Sequence, residues 1–407
     1  MDQLPARSAA IRQRLLRLLP GTADRVWLVG GAVRNLLLDR EVRDIDLLVA
    51  LPPERLVAAG FRPVRAKTTP DIWFRHLPGF GSLEATLLAG PAGLADDLRR
   101  RDFTINAVAL SLAGELVDPL AGIVDLAARR LAAASEGVFA ADPLRLLRAL
   151  RFMADGFVPD QRTVGLLRGQ TLDAGLAGIP AERSGRELLR ALATPAPAEF
   201  FRGLVDHGIG RSWLPELFRM GEVPAGPVEH HPEGDLLIHS LQVLEQVAAA
   251  VPDPMARFCA LFHDLGKLAT PVAAYPKHHG HEEAGAGLAD RFCRRLALPA
   301  AYGRALAAVC RLHGSVNRFA ELRPATRLRL VEQAGRAGVD GFLLVIAAAD
   351  KPGPELQAEW QRLAAIVRLT AGELGVAPER LAAVPPAQRG DLLLQKRVEL
   401  LQAGGGL

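Results

Sequence analysis

The sequence predicts an α+β N-terminal part, built on a small mixed sheet, followed by a mainly α-helical remainder. Three observations lead there. Short β-rich runs bounded by glycine and proline turns crowd the first third of the chain and stop near residue 120. Beyond that point apolar residues recur at helical spacing almost throughout. Aromatic residues make up only 5% of the 407, so the cores must be mostly Leu, Ala and Val, which suits helix packing better than a β-sandwich.

Taken in order, residues 1–20 alternate Leu with Arg and read as an amphipathic helix, with no apolar stretch of leader-peptide length. Residues 25–29 form a strand that ends in Gly30-Gly31, and 32–38 a helix. Residues 44–49 are a second strand, followed by a Pro52-Pro53 turn and a short helix. Residues 72–74, 83–88, 107–110 and 116–117 are further strands. Glycines and prolines over 221–232 mark the clearest linker, and 374–407 read as one or two helices with a glycine-rich end. The expected domains are therefore 1–124, 125–220, 221–360 and 361–407.

Composition bounds the function. Hydrophobic residues are 49% and charged residues 23%, which excludes a disordered chain. Of 49 basic residues only five are lysine, and the bland explanation is genome base composition. A net charge of +4 permits a nucleic-acid partner without requiring one, and the excess lies entirely in residues 1–220. Cys259, Cys293 and Cys310 are too far apart for a disulfide framework and fit a reducing compartment. Apolar runs such as 342–349 are too short to span a bilayer, so a soluble, cytoplasmic protein is expected, with no membrane association and no stable protein partner.

The first motif is a glycine turn beside paired aspartates. Gly30-Gly31 lets backbone N–H groups approach a phosphate at the start of a helix. Asp44 and Asp46, at i and i+2, share one face of a strand. Neighbouring carboxylates repel, so stability does not explain them. They suit Mg²⁺, which takes hard oxygen ligands together with substrate phosphates. Glu84 on a later strand is a third candidate; the alternative for all three is a solvated strand edge. Next, Arg99 to Asp102 places four charges in a row before Phe103-Thr104-Ile105-Asn106, which calls for paired or anionic partners. Asp142-Pro143-Leu144-Arg145 then reads as a helix start, with Asp142 as N-cap and Arg145 on the same face. That pair could bond to each other or read a nucleotide base.

In this order, Gly30-Gly31, Asp44-x-Asp46, Arg101-Asp102-Phe103-Thr104-x-Asn106 and Asp142-Pro143-Leu144-Arg145 resemble the class II tRNA nucleotidyltransferases, the bacterial CCA-adding enzymes and related poly(A) polymerases. Asp118-Pro119 with Gly122 and Asp125, and Pro180-Ala181-Glu182-Arg183 with Glu187, extend the match. The resemblance implies a polymerase-beta-like head over 1–124 and a helical neck over 125–220 that contacts the base and the tRNA. Asp44 and Asp46 would hold Mg²⁺, with Glu84 as the third catalytic carboxylate. Gly30, Gly31 and Arg34 would face the triphosphate. Arg101, Asp102 and Asn106 would contact sugar and phosphates or brace the site. Asp142 and Arg145 would read the edge of CTP or ATP, and Arg183 completes the nucleotide-binding set. The reaction implied is attack of the tRNA 3′-hydroxyl on the α-phosphate, with pyrophosphate leaving.

Two departures stand out. Ala141 replaces the acidic residue usual before Asp142, and the stretch between Glu84 and Asp96 is short and uncharged. The second departure points to a variant that adds only CC. Poly(A) polymerase is the alternative within the family.

The second motif lies past the linker. Eight of ten histidines fall in 230–313, and His263-Asp264-Leu265-Gly266-Lys267 closes an apolar helix. Imidazole and carboxylate together bind divalent transition metals and leave room for an activated water. The pattern, with His278-His279-Gly280-His281, resembles the HD phosphohydrolase superfamily. It implies a 221–360 domain in which His239, His263, Asp264 and Asp350 hold Ni²⁺, Mn²⁺ or Mg²⁺. His281 and His313 would hold a second ion. A hydrolase whose main activity is this site is the rival from another class.

Overall fold

The structure, a computed structural model, describes residues 4–42, 44–64, 72–78, 80–168, 175–176, 178–229 and 231–403. Arg43, Lys67, His230 and the glycine-rich end from 404 lie outside the described residues. The chain divides into two compact units, 1–175 and 176–407, a division that falls inside the segment 125–220.

The first unit is an α+β fold. Helix α1 (Leu4–Leu18) buries Leu4 and Leu15 against the sheet core. Strand β1 (Val26–Val29) is buried at every position because it lies inside a seven-stranded sheet. Helix α2 (Gly31–Leu37) follows directly. The remaining strands are β2 (Asp44–Val49), β3 (Arg62–Val64), β4 (Ile72–Leu77), β5 (Gly81–Leu87), β6 (Ala109–Ser111) and β7 (Leu116–Val117). The order is β3-β4-β5-β2-β1-β6-β7, with β2 and β5 parallel and every other neighbouring pair antiparallel. This is the mixed sheet the sequence predicts, with the additional edge strand β3.

Strand alternation assigns the two faces. Ile45 and Leu47 point into the larger core with Leu28, Val33 and Leu83. Asp44, Asp46 and Leu48 belong to the opposite face, where Leu48 packs with Trp27, Val29, Leu94 and Leu98. Leu94 and Leu98 come from a helix over Gly93–Arg99 that covers the Leu48 end of this face. The aspartate end stays open.

After the sheet, Gly122–Ala127 and Leu144–Ala154 are helical, and two two-residue strands, Arg130–Leu131 and Val158–Pro159, pair in parallel. Phe152 packs edge-on between Phe103 and Phe157, seating the second of these helices beside the 102–106 segment.

The second unit is helical, as the low aromatic content predicts. Within it the rings of Phe258, Phe262, Phe292 and Tyr302 pack together. The three cysteines are free and buried. Arg257 is buried with four of its five N–H donors given to the carbonyls of Val251, Leu192, Thr194 and Ala248 at 2.8–2.9 Å. It thereby ties the turn after helix Ala181–Leu192 to the helices Leu236–Ala250 and Pro254–Phe262. Among the described residues no helix is long and apolar enough to cross a membrane.

Candidate active site and metal centre

In the first unit the open sheet face collects three carboxylates. Asp44 and Asp46 are both exposed, with buried Ile45 between them. The parallel pairing of β2 with β5 sets Glu84 directly opposite Asp46, so all three point the same way. The antiparallel pairing with β1 sets Asp46 opposite Val29, one residue before the glycine turn. Gly30 has φ +62°, and a Cβ there would lie 2.8 Å from Arg101 Nη1 and 3.5 Å from Asp46 Oδ2. The turn therefore needs glycine twice over: for its left-handed backbone and for the approach of the guanidinium. Gly30, Asp46 and Arg101 meet at one point, with Arg101 held from behind by Asp97 at 3.2 Å.

Behind this edge runs a continuous hydrogen-bonded chain. Arg34 donates to Asn106 Oδ1 at 2.5 Å, and Asn106 Nδ2 donates to Asp102 Oδ1 at 2.9 Å. The Phe103 N–H donates to the same Asp102 oxygen at 2.9 Å. Arg148 forks onto Asp102 Oδ2 at 2.8 and 2.5 Å. Burial alone would raise this carboxyl, but the Arg148 charge and these donors outweigh it and hold the pKa at about 2. Both Asp102 oxygens are thus engaged by protein donors. Burial, followed by the charge of Arg151, lowers Arg34 to about 10, and its guanidinium lies 5.1 Å from the Phe152 ring centre.

The 102–106 segment is also held from below. Thr104 Oγ1 donates to Asp125 at 2.6 Å, while Asp118 accepts from the Gly122 and Ile123 N–H groups at 2.7 and 2.9 Å.

Asp142 has extended backbone and accepts from the Leu144 N–H at 3.1 Å, so it is the physical N-cap of the helix assigned from Leu144. Arg145 donates to the carbonyls of Val138 and Arg100 at 3.2 and 3.0 Å. Arg183 lies in the second unit, exposed on the helix Ala181–Leu192. Sequence reasoning missed Arg148, although Arg145, Arg148 and Arg151 recur at the three-residue spacing that keeps side chains on neighbouring faces of a helix.

In the second unit, the predicted metal ligands converge. His239, His263, Asp264 and Asp350 offer four ligand atoms within 4.8 Å of one another, and Asp264, His281 and His313 offer three within the same distance. Asp264 belongs to both groups. Its Oδ2 lies 3.2 Å from His263 Nε2, and its Oδ1 lies 3.1 Å from His281 Nε2 and 3.5 Å from His313 Nε2. Asp350 Oδ1 lies 3.0 Å from His239 Nε2 and 3.4 Å from His263 Nε2.

The tautomers follow from what stands behind each ring. His263 Nδ1 faces the Ala260 carbonyl at 2.8 Å, His281 Nδ1 that of His278 at 2.7 Å, and His313 Nδ1 those of Val309 and Cys310 at 3.0 Å. A carbonyl only accepts, so Nδ1 carries the proton and Nε2 presents a lone pair. Lone pairs facing carboxylates need a cation between them. Consistently, His263 Nε2 and Asp264 Oδ1 are buried without a hydrogen-bond partner. Burial would lower His263, yet the charges of Asp264 and Asp350 outweigh it and raise it, which marks a position that favours positive charge. The donor set of imidazoles and carboxylates therefore fits a divalent transition ion.

Three further residues stand against these groups: Lys267, quoted in the motif without a role, and Asn317 and Glu233, which the sequence did not single out. Lys267 Nζ lies 2.6 Å from Asp264 Oδ2, Asn317 Nδ2 donates to Asp350 Oδ2 at 2.6 Å, and Glu233 accepts from His239 Nδ1 at 2.8 Å. Gly266 explains its place in the His-Asp-x-Gly-Lys run, because a Cβ there would strike the backbone of His281 and Gly285.

Comparison with known proteins identifies the family. Residues 82–132 match the poly A polymerase head domain, and 236–341 the HD domain. Residues 157–220 match a domain described as "Probable RNA and SrmB- binding site of polymerase A". The chain is 38% identical over 369 residues to the multifunctional CCA protein of Methylococcus capsulatus, covering 83% of this chain and 86% of that protein. It is 37% identical over 406 residues to that of Alkalilimnicola ehrlichii, covering 90% and 98%. In fold it is similar to the Thermotoga maritima CCA-adding enzyme solved with tRNA, with a TM-score of 0.67 at 20% identity over 100% of this chain and 95% of that one. It is also similar to the Bacillus stearothermophilus enzyme solved with CTP, with a TM-score of 0.61 at 22% identity over 96% and 93%. On this degree of shared sequence over nearly the whole length, the chain belongs to the multifunctional CCA proteins, nucleotidyltransferases that carry a poly(A)-polymerase-type head and an HD domain.

Proposed function

We propose that the first unit transfers CMP, and then AMP where the site admits ATP, to the 3′ end of tRNA. The observation that carries this reading is the carboxylate edge of Asp44, Asp46 and Glu84 beside the Gly30 turn and the Arg101 guanidinium. Asp44 and Asp46 would hold Mg²⁺, which when bound supplies charge neutralisation at the reacting phosphate. Gly30 and Gly31 leave backbone room for the triphosphate. Arg34 and Arg101 place positive charge beside it. The tRNA 3′-hydroxyl gives up its proton to solvent as its oxygen bonds to the α-phosphorus, the bond from that phosphorus to the bridging oxygen breaks, and pyrophosphate leaves. Most of the acceleration comes from positioning and electrostatics.

The specificity reading that the loop favours is CC addition. Strand β5 ends at Leu87 and the next helix begins at Gly93, so the connection is five residues long and carries no charge. The name shared by the relatives favours the full CCA triplet. A tRNA transcript ending at the discriminator base, incubated with CTP, ATP or both, separates the possibilities. Under the CC reading the product grows by two nucleotides with CTP and no further when ATP is added. A terminal A after CC discards it, and a long ladder with ATP alone would indicate poly(A) polymerase.

For the second unit we propose a metal-dependent phosphohydrolase or phosphodiesterase site as a secondary activity. His239, His263, Asp264 and Asp350 would hold the first ion, and His281 and His313 would share Asp264 with a second. Chelator-stripped protein reloaded with Ni²⁺ or Mn²⁺ is expected to take up metal stoichiometrically, and His263→Ala to abolish binding at the first position while nucleotide addition persists.

A further inference from the structure

We propose that Glu233 is a positioning residue of the metal centre, seated behind His239 so that its carboxylate orients that imidazole and strengthens it as a ligand. The inference rests on the metal-site reading of the second unit. His263, His281 and His313 each turn Nδ1 toward a backbone carbonyl at 2.7–3.0 Å, with Glu282 Oε2 farther from His281 Nδ1 at 3.4 Å, whereas the hydrogen-bond partner of His239 Nδ1 is itself a carboxylate, Glu233 Oε1 at 2.8 Å. A charged acceptor makes a stronger hydrogen bond than a carbonyl and draws more electron density toward Nε2, the atom that faces Asp350 at 3.0 Å.

Glu233 is itself held. The same Oε1 accepts from His231 Nδ1 at 2.9 Å, and the His231 ring stands edge-on to His239 with centres 5.0 Å apart. The loop is anchored on both sides: Ala225 N–H donates to the Gly234 carbonyl at 2.9 Å, and Leu236 N–H to that of Val223 at 2.8 Å. Asp235, the next residue, caps the helix bearing His239 by accepting from the Ile238 N–H at 2.8 Å. The Glu233 side chain is only 13% exposed, and that of His239 5%. The segment that looked like a linker in sequence thus ends in a rigid support for a ligand.

The experiment is a calorimetric titration of the chelator-stripped full chain with Ni²⁺, which favours imidazole over the all-oxygen site of the head. Wild type, Glu233→Gln, Glu233→Ala and His263→Ala are compared. The His263-dependent ion should bind about 10- to 100-fold more weakly in both Glu233 variants, more so in the alanine, with stoichiometry unchanged. The near-isosteric glutamine keeps an acceptor and stays readable if the alanine variant folds poorly. Melting in excess chelator and CMP addition by the head report folding separately. A purely structural Glu233 would lower the metal-free melting temperature and leave Ni²⁺ affinity at the wild-type value, and that result overturns the proposal. Wild-type protein that takes up no Ni²⁺, or takes it up independently of His263, overturns the metal-site reading beneath it, and does so before any Glu233 variant is measured.

Discussion

Asp46→Ala is expected to reduce CMP incorporation into a tRNA substrate at least about a thousandfold, a scale typical of losing a preorganised charge contact to the transition state. Asp46 is the carboxylate that the register places opposite Glu84 and that lies nearest the Gly30 turn. Its removal leaves nothing to take its place, because Asp44 is two residues along the strand and Glu84 lies on the neighbouring one. The substitution is at an exposed position, so the fold should survive, and an unchanged melting temperature checks that. Ni²⁺ uptake by the second unit should be untouched. Full nucleotide addition by Asp46→Ala would instead make the hydrolase centre the main activity and the head vestigial.

Arg148→Met should destabilise the first unit by about 3 kcal/mol, the lower end of what breaking a buried ion pair costs when one charge is left behind. The charge left behind is Asp102, only 5% exposed. The pH dependence gives the sign. Asp102 titrates at about 2 in the folded protein, below its ordinary 3.8, so the stabilisation is full above the ordinary value and is lost as pH falls through about 2. The gap between wild type and variant in chemical denaturation is therefore widest at neutral pH and closes toward pH 2. CMP addition should fall as well, because Arg34 is oriented through Asn106 by the same chain of bonds. Equal stability of the two proteins at neutral pH would show that Asp102 does not depend on Arg148.

Both outcomes turn on residues of unequal visibility in the sequence. Asp44 and Asp46 were legible because strand alternation is a local rule: two residues apart means one face. The helix start at Asp142 was legible for a similar reason, since capping involves only the next turn. Glu84 remained an open choice between site and surface, because its meaning depends on the parallel pairing of β2 and β5, a long-range register. Arg148 sits in a run of arginines that base composition explains equally well, and only its fork onto Asp102 distinguishes it.

The histidine centre shows the same boundary. His263-Asp264 is a local signature, and its placement at the end of an apolar helix was readable. Its closure is not local: His239 reaches Asp350 across 111 residues, and Asn317 reaches the other oxygen of Asp350. Glu233 directly follows the 221–232 segment, whose glycines and prolines say only that no helix runs there.

By itself, then, the sequence determined most of the elements, the α+β-then-α order, the family resemblance and a set of candidate site residues, because periodicity, capping and short motifs are set by neighbours within a few residues. Only the tertiary structure decided which carboxylates share an edge, that Asp102 is buried on Arg148, that Asp264 lies in two groups of candidate ligands, and that Glu233 stands behind His239. Those depend on strand register and helix packing between distant segments, where one residue's shift would turn each side chain to the wrong face.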